Sequence, residues 1–135
     1  MSTITSGGSV AATLMADLAA ASRILVAQGV VDGFGHVSMR HPAAKDRYLL
    51  SRSIAPALVT PADILEYDLD SSPCNADGRS SFLERFIHGE IYKARPDVMA
   101  VVHSHSPSVI PFGLVEAPMR AMFHNAAFID RKSVV

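Results

Sequence analysis

The sequence has a single cysteine, little net charge and no long apolar run, and each of these absences excludes a class of protein. Cys74 has no second cysteine to pair with, so an internal disulfide is excluded and a reducing compartment is favoured. The net charge is −1, and no Lys/Arg cluster offers the basic surface that nucleic-acid binding needs. We therefore expect no nucleic-acid partner.

Membrane insertion and secretion are also disfavoured. The mean hydropathy is +0.23, but charged residues, prolines or glycines interrupt the apolar stretches before they reach the roughly 20 residues of a spanning helix. The first residues have no basic segment ahead of an apolar core, and they include Asp17, so we expect no signal peptide. These features predict a cytoplasmic protein with no membrane partner.

The apolar content is sufficient for one core. Hydrophobic residues make up 49% of the 135 residues and charged residues 19%, which predicts one domain over residues 1–135, with residues 1–9 disordered. Leu14, Leu18 and Leu25 recur at helical spacing and predict a helix over residues 10–28 that Gly29 ends.

The later segments alternate between the two kinds of secondary structure. HVSMR and YLLS predict an antiparallel hairpin, and PADILEYDLD predicts a helical turn that leads into a strand. Residues 80–94 predict a helix with Ser81 as N-cap, VMAVVH a buried strand, and SPSVIPFGLVEAP a second short helix. This order predicts an α/β (α+β) fold, a three-layer α/β/α domain around a mostly antiparallel central sheet.

The strongest chemical signal is the stretch AVVHSHSPS. Side chains alternate along a strand, so His103 and His105 should point to the same side. A helix from Glu84 to residue 94 rises about 15 Å, and the strand that follows returns about 17 Å. We therefore expect Glu84 to lie level with the two histidines, although it is distant from them in sequence.

Two histidines and a carboxylate suit a divalent metal ion, with Zn²⁺ first and Mn²⁺ or Fe²⁺ as alternatives. The residues alone also allow an ordinary strand that carries two histidines, with Glu84 acting only on the helix dipole. His88, four residues after Glu84, is interpreted as a hydrogen-bonded helper or a core histidine. His41, next to Pro42, is interpreted as a loop residue.

Three segments resemble the class II aldolase/adducin family: GFGHVSMRHP, PADILEYDLD and ERFIHGEIYKARPDVMAVVHSHSPS. The resemblance extends over about residues 10–129, and it implies the family's class II aldolase-like fold. It further implies that His103 and His105 are two of three metal-binding histidines and that Glu84 is the catalytic acid/base. In this family a divalent metal acts as a Lewis acid on the substrate. A ring-shaped homo-tetramer with sites between subunits is also implied.

The substrate loop departs from the sugar-phosphate members of that family. Gly35, His36 and Ser38 match the loop that holds phosphate there, but His36 stands where an asparagine is usual. Phe82 and Leu83 replace the serines that precede the glutamate in those members. An apolar wall cannot satisfy a phosphate dianion. We therefore predict that three residues hold a carboxylate instead of a phosphate: His36, Ser53 and Arg52.

The last part of the chain departs further. His124 matches the position of a tyrosine that donates a proton in the aldolases, and the alternative interpretation is a histidine without a chemical role. The family takes its third metal histidine from a later segment, but no histidine follows His124. The resemblance therefore implies a chain that is shortened relative to the family.

Together these features favour a metal-dependent carbon–carbon lyase that acts on a small-molecule substrate. The reaction would be retro-aldol cleavage or decarboxylation of a hydroxy acid, an oxo acid or an aromatic carboxylate, through a metal-stabilised enolate. Two alternatives remain open at this point. One is a catalytically silent, adducin-like interaction or assembly domain, or a truncated fragment without function. The other is a ketose-phosphate 4-epimerase or a sugar-phosphate aldolase.

Overall fold

The computed structural model describes residues 4–116 and Arg120, which contain two α-helices and four strands. In chain order they are α1 (Ala12–Ala27), β1 (His36–Arg40), β2 (Arg47–Ser51), β3 (Ile64–Asp68), α2 (Arg85–Ala94) and β4 (Ala100–His103). Short 3₁₀ turns cover Pro56–Leu58, Pro61–Asp63 and Ile110–Gly113. The chain divides after His105 into two compact units, and the first holds the sheet and both α-helices. The single-domain organisation stays a prediction.

The sheet is antiparallel throughout, in the strand order β3-β2-β1-β4. β1 and β2 form the predicted hairpin, and β3 follows the predicted turn at Pro61–Asp63. β4 pairs with β1 and places His103 directly opposite His36. The prediction that β4 is buried is wrong, because its residues alternate between exposed and half-buried. β4 is the outermost strand of the described sheet, so no neighbouring strand covers its far edge there.

The two α-helices cover opposite faces of the sheet, because successive residues of a strand point to opposite sides. Leu49 of β2 points toward α1 and packs in one cluster with Leu18. Its neighbours Tyr48 and Leu50 point the other way and pack with Tyr92 of α2. The predicted α/β/α layer order is confirmed.

α1 and the segment before it lie close to the sheet. α1 has nearly the predicted bounds, and Gly29 follows it with φ +66°, a left-handed conformation that favours glycine. Upstream, the Ser6 hydroxyl and the Gly7 N–H donate hydrogen bonds of 2.6 Å to the two carboxylate oxygens of the buried Glu66. Residues 4–9 therefore differ from the predicted disorder, because a buried carboxylate needs hydrogen-bond donors.

α2 begins five residues later than predicted. Ser81 does not cap it, because the Ser81 hydroxyl oxygen accepts a hydrogen bond of 2.9 Å from the Tyr67 hydroxyl. The Arg85 guanidinium instead donates to the backbone carbonyls of Ser71 and Phe82, which fixes the segment before the helix. Glu84 therefore immediately precedes the first turn of α2, where its side chain is 44% exposed.

Gly89 brings α2 close to the loop after β3, and we expect Gly89→Ala to destabilise the protein. A Cβ at this position would lie 2.6 Å from the Leu69 carbonyl oxygen and would also overlap the Ser71 hydroxyl. Overpacking of this kind costs about 1–3 kcal/mol, which exceeds the gain of about 1 kcal/mol from replacing glycine by alanine in a helix. Urea unfolding should show a lower midpoint with an unchanged slope.

Gly33→Ala is the matched control for Gly89→Ala, because a Cβ there would meet open space. Its free energy of unfolding should stay within about 0.5 kcal/mol of that of the unsubstituted protein. A Gly89→Ala protein as stable as the Gly33→Ala protein would contradict the close packing of α2 against this loop.

Candidate functional site

Three elements meet at one place: the start of β1, the end of β4 and the start of α2. His36 and His103 face each other across the two strands, with their rings stacked at a centroid distance of 4.8 Å and an angle of 23°. Gly35 allows this approach, since a Cβ there would lie 3.0 Å from the His103 carbonyl oxygen and would overlap the Val31 side chain. Glu84 approaches the same place from α2.

Glu84, His103 and His105 form a compact cluster of possible metal ligands. Glu84 Oε1 lies 3.4 Å from His103 Nε2 and 3.7 Å from His105 Nε2, and the two Nε2 atoms are 3.0 Å apart. Donor atoms bound at about 2.1 Å to one tetrahedral ion lie about 3.4 Å from each other. The three side chains are half-buried or exposed, so a solute can reach them. The donor set and its spacing therefore fit a divalent metal ion.

Asp32 fixes the orientation of His105, a role that the sequence pattern did not indicate. Asp32 Oδ1 accepts hydrogen bonds from the backbone N–H groups of Phe34 and Gly35 and lies 3.3 Å from His105 Nδ1. Two hydrogen bonds lower the pKa of the Asp32 carboxyl, the larger effect coming from the Phe34 N–H and the next from His105. If Nδ1–H donates to Asp32, the lone pair of His105 Nε2 faces Glu84 and His103, as in the carboxylate–histidine pairs of metal sites.

A buried hydrogen-bond chain lies beneath this cluster. His36 Nδ1 is 2.7 Å from His88 Nε2, and His88 Nδ1 is 2.6 Å from the Ser38 hydroxyl, which is 2.8 Å from the Tyr92 hydroxyl. Burial lowers the pKa of His36 to about 4 and that of His88 to about 3. His88 is thus a hydrogen-bonded core histidine, in line with its interpretation from the sequence.

His36 and Ser38 lie in strand β1, as the pattern of HVSMR predicts, although the resemblance places them in a substrate loop. The His36 ring is 2% exposed and points Nε2 toward Glu84 Oε2 at 3.5 Å. Ser38 has no exposed surface, and both of its hydroxyl contacts are with the core residues His88 and Tyr92. Ser38 is therefore placed to support the site from below and not to touch a solute.

The other predicted residues make their hydrogen bonds and ion pairs with residues outside this cluster. Ser53 is exposed, and its N–H donates to the Ser80 carbonyl. Arg52 pairs with Asp63 at 2.6 Å. His41 is a buried residue that follows β1 and accepts hydrogen bonds from the next turn. The predicted catalytic residue His124 lies outside the described residues.

The rim of the cluster is apolar. The Phe82 ring packs at 4.5 Å from the His36 ring, and Leu83, beside Glu84, is 86% exposed. Phe34, in the turn that Asp32 organises, is also exposed. Side chains of this kind suit an apolar or aromatic surface of a ligand and give no hydrogen bonds to a phosphate.

Comparison with known sequences identifies the family. A profile of the class II aldolase and adducin N-terminal domain matches residues 16–134. The chain belongs to the class II aldolase and adducin family. Decarboxylase tropJ of Talaromyces stipitatus is 39% identical over 108 residues, which are 78% of this chain and 41% of that protein. A 3,4-dihydroxyphthalate decarboxylase of Arthrobacter keyseri is 34% identical over 113 residues, 76% of this chain and 44% of that protein.

Solved structures place this class II aldolase-type chain in the same fold. L-fuculose 1-phosphate aldolase of Glaciozyma antarctica superposes with a TM-score of 0.70 at 28% identity, over 87% of this chain and 50% of that one. The predicted family and fold class are therefore confirmed. The chain spans less than half the length of the two curated decarboxylases. No helix within residues 4–116 is long and apolar enough to cross a membrane.

Proposed function

We propose that this chain carries a metal-dependent carbon–carbon lyase site that decarboxylates a small aromatic or hydroxylated carboxylic acid. The spacing of Glu84, His103 and His105 supports the proposal most directly, because these donor atoms lie as far apart as ligands of one ion. Two relatives, at 39% and 34% identity, bear the names of decarboxylases. The apolar rim of Phe82 and Leu83 favours an aromatic acid over a sugar phosphate.

His103 and His105 would hold the metal through their Nε2 atoms, with Asp32 keeping His105 in position. Zn²⁺ is the first candidate for this donor set, and Mn²⁺ or Fe²⁺ are alternatives. When bound, the ion would supply Lewis-acid stabilisation of negative charge on substrate oxygens. Glu84, at the mouth of the cluster, would give a proton to the carbon that loses CO₂ or take it from a substrate hydroxyl.

The remaining predicted residues keep more distant roles in this proposal. Gly35 and His36 border the cluster and would contact the substrate, and Ser38 would support His36 from below. Ser53 as a carboxylate contact and His124 as a second proton donor stay predictions. A homo-tetramer remains what the resemblance implies, and a cytoplasmic location remains a prediction from the sequence.

Product analysis tests the proposal. Purified protein loaded with Zn²⁺ or Mn²⁺ should be incubated with hydroxylated benzoates and phthalates, including 3,4-dihydroxyphthalate, and in parallel with L-fuculose 1-phosphate. Release of CO₂ from the aromatic acids would support the decarboxylase. Cleavage of the sugar phosphate to an aldehyde without CO₂ release would overturn the decarboxylase and favour an aldolase. Turnover of neither class would leave the adducin-like interaction domain.

We expect Asp32→Asn to weaken metal binding by about 10–100-fold, the usual cost of losing the carboxylate behind a metal-bound histidine. The asparagine oxygen can still accept from the N–H groups of Phe34 and Gly35, so the turn should persist. Zinc affinity is measured by competition with a chromophoric chelator. Asp46→Asn is the control, because Asp46 pairs with Arg47 and is highly exposed. Equal affinities in the two variants would refute the role of Asp32.

A further inference from the structure

His36 Nε2 is the buried side-chain polar atom without a hydrogen-bond partner within the described residues. It belongs to a ring that is 2% exposed, and it points into the cluster of Glu84 and His103, 3.5 Å from Glu84 Oε2. A buried polar atom without a partner is costly, so it needs an explanation, and a role in catalysis or ligand binding is one. The question is whether this nitrogen carries a lone pair for a metal or a proton for a substrate.

The donor atoms of His36, Glu84 and His103 all lie within 4.8 Å of one another, so spacing alone also allows His36 as a metal ligand. A ring nitrogen can bind a metal only with its lone pair free. The hydrogen-bond chain on the other side of the ring decides which form it takes.

This chain runs from His36 through His88 and Ser38 to Tyr92, with links of 2.7, 2.6 and 2.8 Å. Ser38 is the acceptor within reach of the buried Tyr92 hydroxyl proton among the described residues, because the other contact of this hydroxyl, the Val101 backbone N–H, is a donor. Tyr92 therefore donates to Ser38, because the reverse direction would leave a buried O–H without an acceptor.

The direction of the hydrogen bond from Tyr92 to Ser38 fixes the direction of the other two. Ser38 accepts from Tyr92 and donates to His88 Nδ1, so His88 carries its proton on Nε2 and donates to His36 Nδ1. His36 then carries its proton on Nε2, the atom that faces Glu84. An additional proton on either ring would leave this N–H in place, so the result does not depend on the charge of the histidines. If every hydrogen bond of the chain ran in the opposite direction, the lone pair of His36 Nε2 would face the Glu84 carboxylate, which is unfavourable.

We propose that His36 is an N–H donor to an anionic oxygen of the substrate and not a metal ligand, and that Ser38, His88 and Tyr92 are positioning residues that fix its tautomer. This inference rests on the lyase site proposed above, and it identifies the chemical class of group bound beside Glu84, a carboxylate or a developing oxyanion. A fixed donor at such a point stabilises charge as it develops in the transition state.

Nitrogen NMR of ¹⁵N-histidine-labelled protein tests the tautomer without any substrate. The His36 signals are assigned by their absence in His36→Gln, and spectra are recorded before and after saturation with Zn²⁺. We expect His36 Nε2 to be protonated in both spectra, while the His103 and His105 signals shift on zinc addition. An unprotonated Nε2 of His36 in either spectrum would overturn the proposal. If no zinc is bound, the metal part of the proposed function fails, whereas the metal-free spectrum still decides the tautomer.

Two variants test whether His36 acts as a hydrogen-bond donor, as a metal ligand or only as a structural ring. His36→Phe keeps the stacking on His103 and Phe82 but removes the N–H, and His36→Gln keeps an N–H donor. We expect both to bind Zn²⁺ as the unsubstituted protein does. His36→Phe should lower kcat by about 10²–10³-fold, the usual cost of a lost oxyanion donor, and His36→Gln should recover part of it. Weaker zinc binding in both, or equal kcat in all three proteins, would contradict the assignment.

Discussion

Glutamine in place of Glu84 should lower kcat for CO₂ release by about 10²–10⁴-fold, the range in which a positioned general acid or base contributes. The amide has nearly the shape of the carboxylate, but it cannot accept or return a proton. Glu84 immediately precedes α2 and makes no capping hydrogen bond, so the helix does not need its charge. Stability to urea should therefore change little.

The measurement of kcat needs saturating metal. Glu84 Oε1 lies within 3.7 Å of His103 Nε2 and His105 Nε2, so Glu84 can also contribute to metal affinity. Single-turnover rates at saturating Zn²⁺ separate the loss of proton transfer from a loss of metal. Glu90→Gln is the matched control in the same helix, since Glu90 is exposed and pairs with Lys93. A Glu84→Gln protein with the kcat of Glu90→Gln would remove Glu84 from the catalytic step.

The double substitution His103→Ala, His105→Ala should abolish stoichiometric zinc binding and, with it, lyase activity. Loss of a residue behind a ligand already costs about 10–100-fold in affinity, and here two nitrogen donors that lie 3.0 Å apart are removed together. The end of β4 stays paired with β1 through backbone hydrogen bonds, so the sheet should persist. Elemental analysis of protein purified without chelator gives the metal content per chain.

Ser104→Ala is the control for this experiment, because Ser104 lies between the two histidines and its side chain makes no hydrogen bond within the described residues. It should retain the metal content of the unsubstituted protein. Stoichiometric metal in the double variant would place the ion elsewhere. No metal in the unsubstituted protein, even after addition of Zn²⁺ or Mn²⁺, would instead reject the metal-dependent lyase as a whole.

The sequence predicted those features that depend on local periodicity. The patterns of HVSMR and VMAVVH predicted strands, and the lengths of helix and strand predicted that Glu84 would approach the two histidines. These distances follow from fixed rises per residue, and the structure places Glu84 Oε1 3.4 Å from His103 Nε2. The roles of these three residues remain proposals.

The features that the sequence did not predict depend on contacts between distant residues. Ser81 has the side chain of an N-cap, but Tyr67 occupies its hydroxyl, so α2 begins later. The pattern of HVSMR predicted a strand that begins at His36, but its place opposite His103 depends on the register of two strands that are far apart in the chain. Asp32 has the local pattern of a turn residue, but nothing near it in sequence indicates a contact with His105.

The position of β4 beside β1 also affects the order in which the chain folds during its synthesis. β1, β2 and β3 follow one another and can pair as soon as they leave the ribosome, whereas β1 must wait for β4, the last strand of the described sheet. Until then the edge of β1 that pairs with β4 is free, and His103 and His105 have not yet been made. A nascent chain therefore cannot capture a metal ion at this site before its sheet is complete.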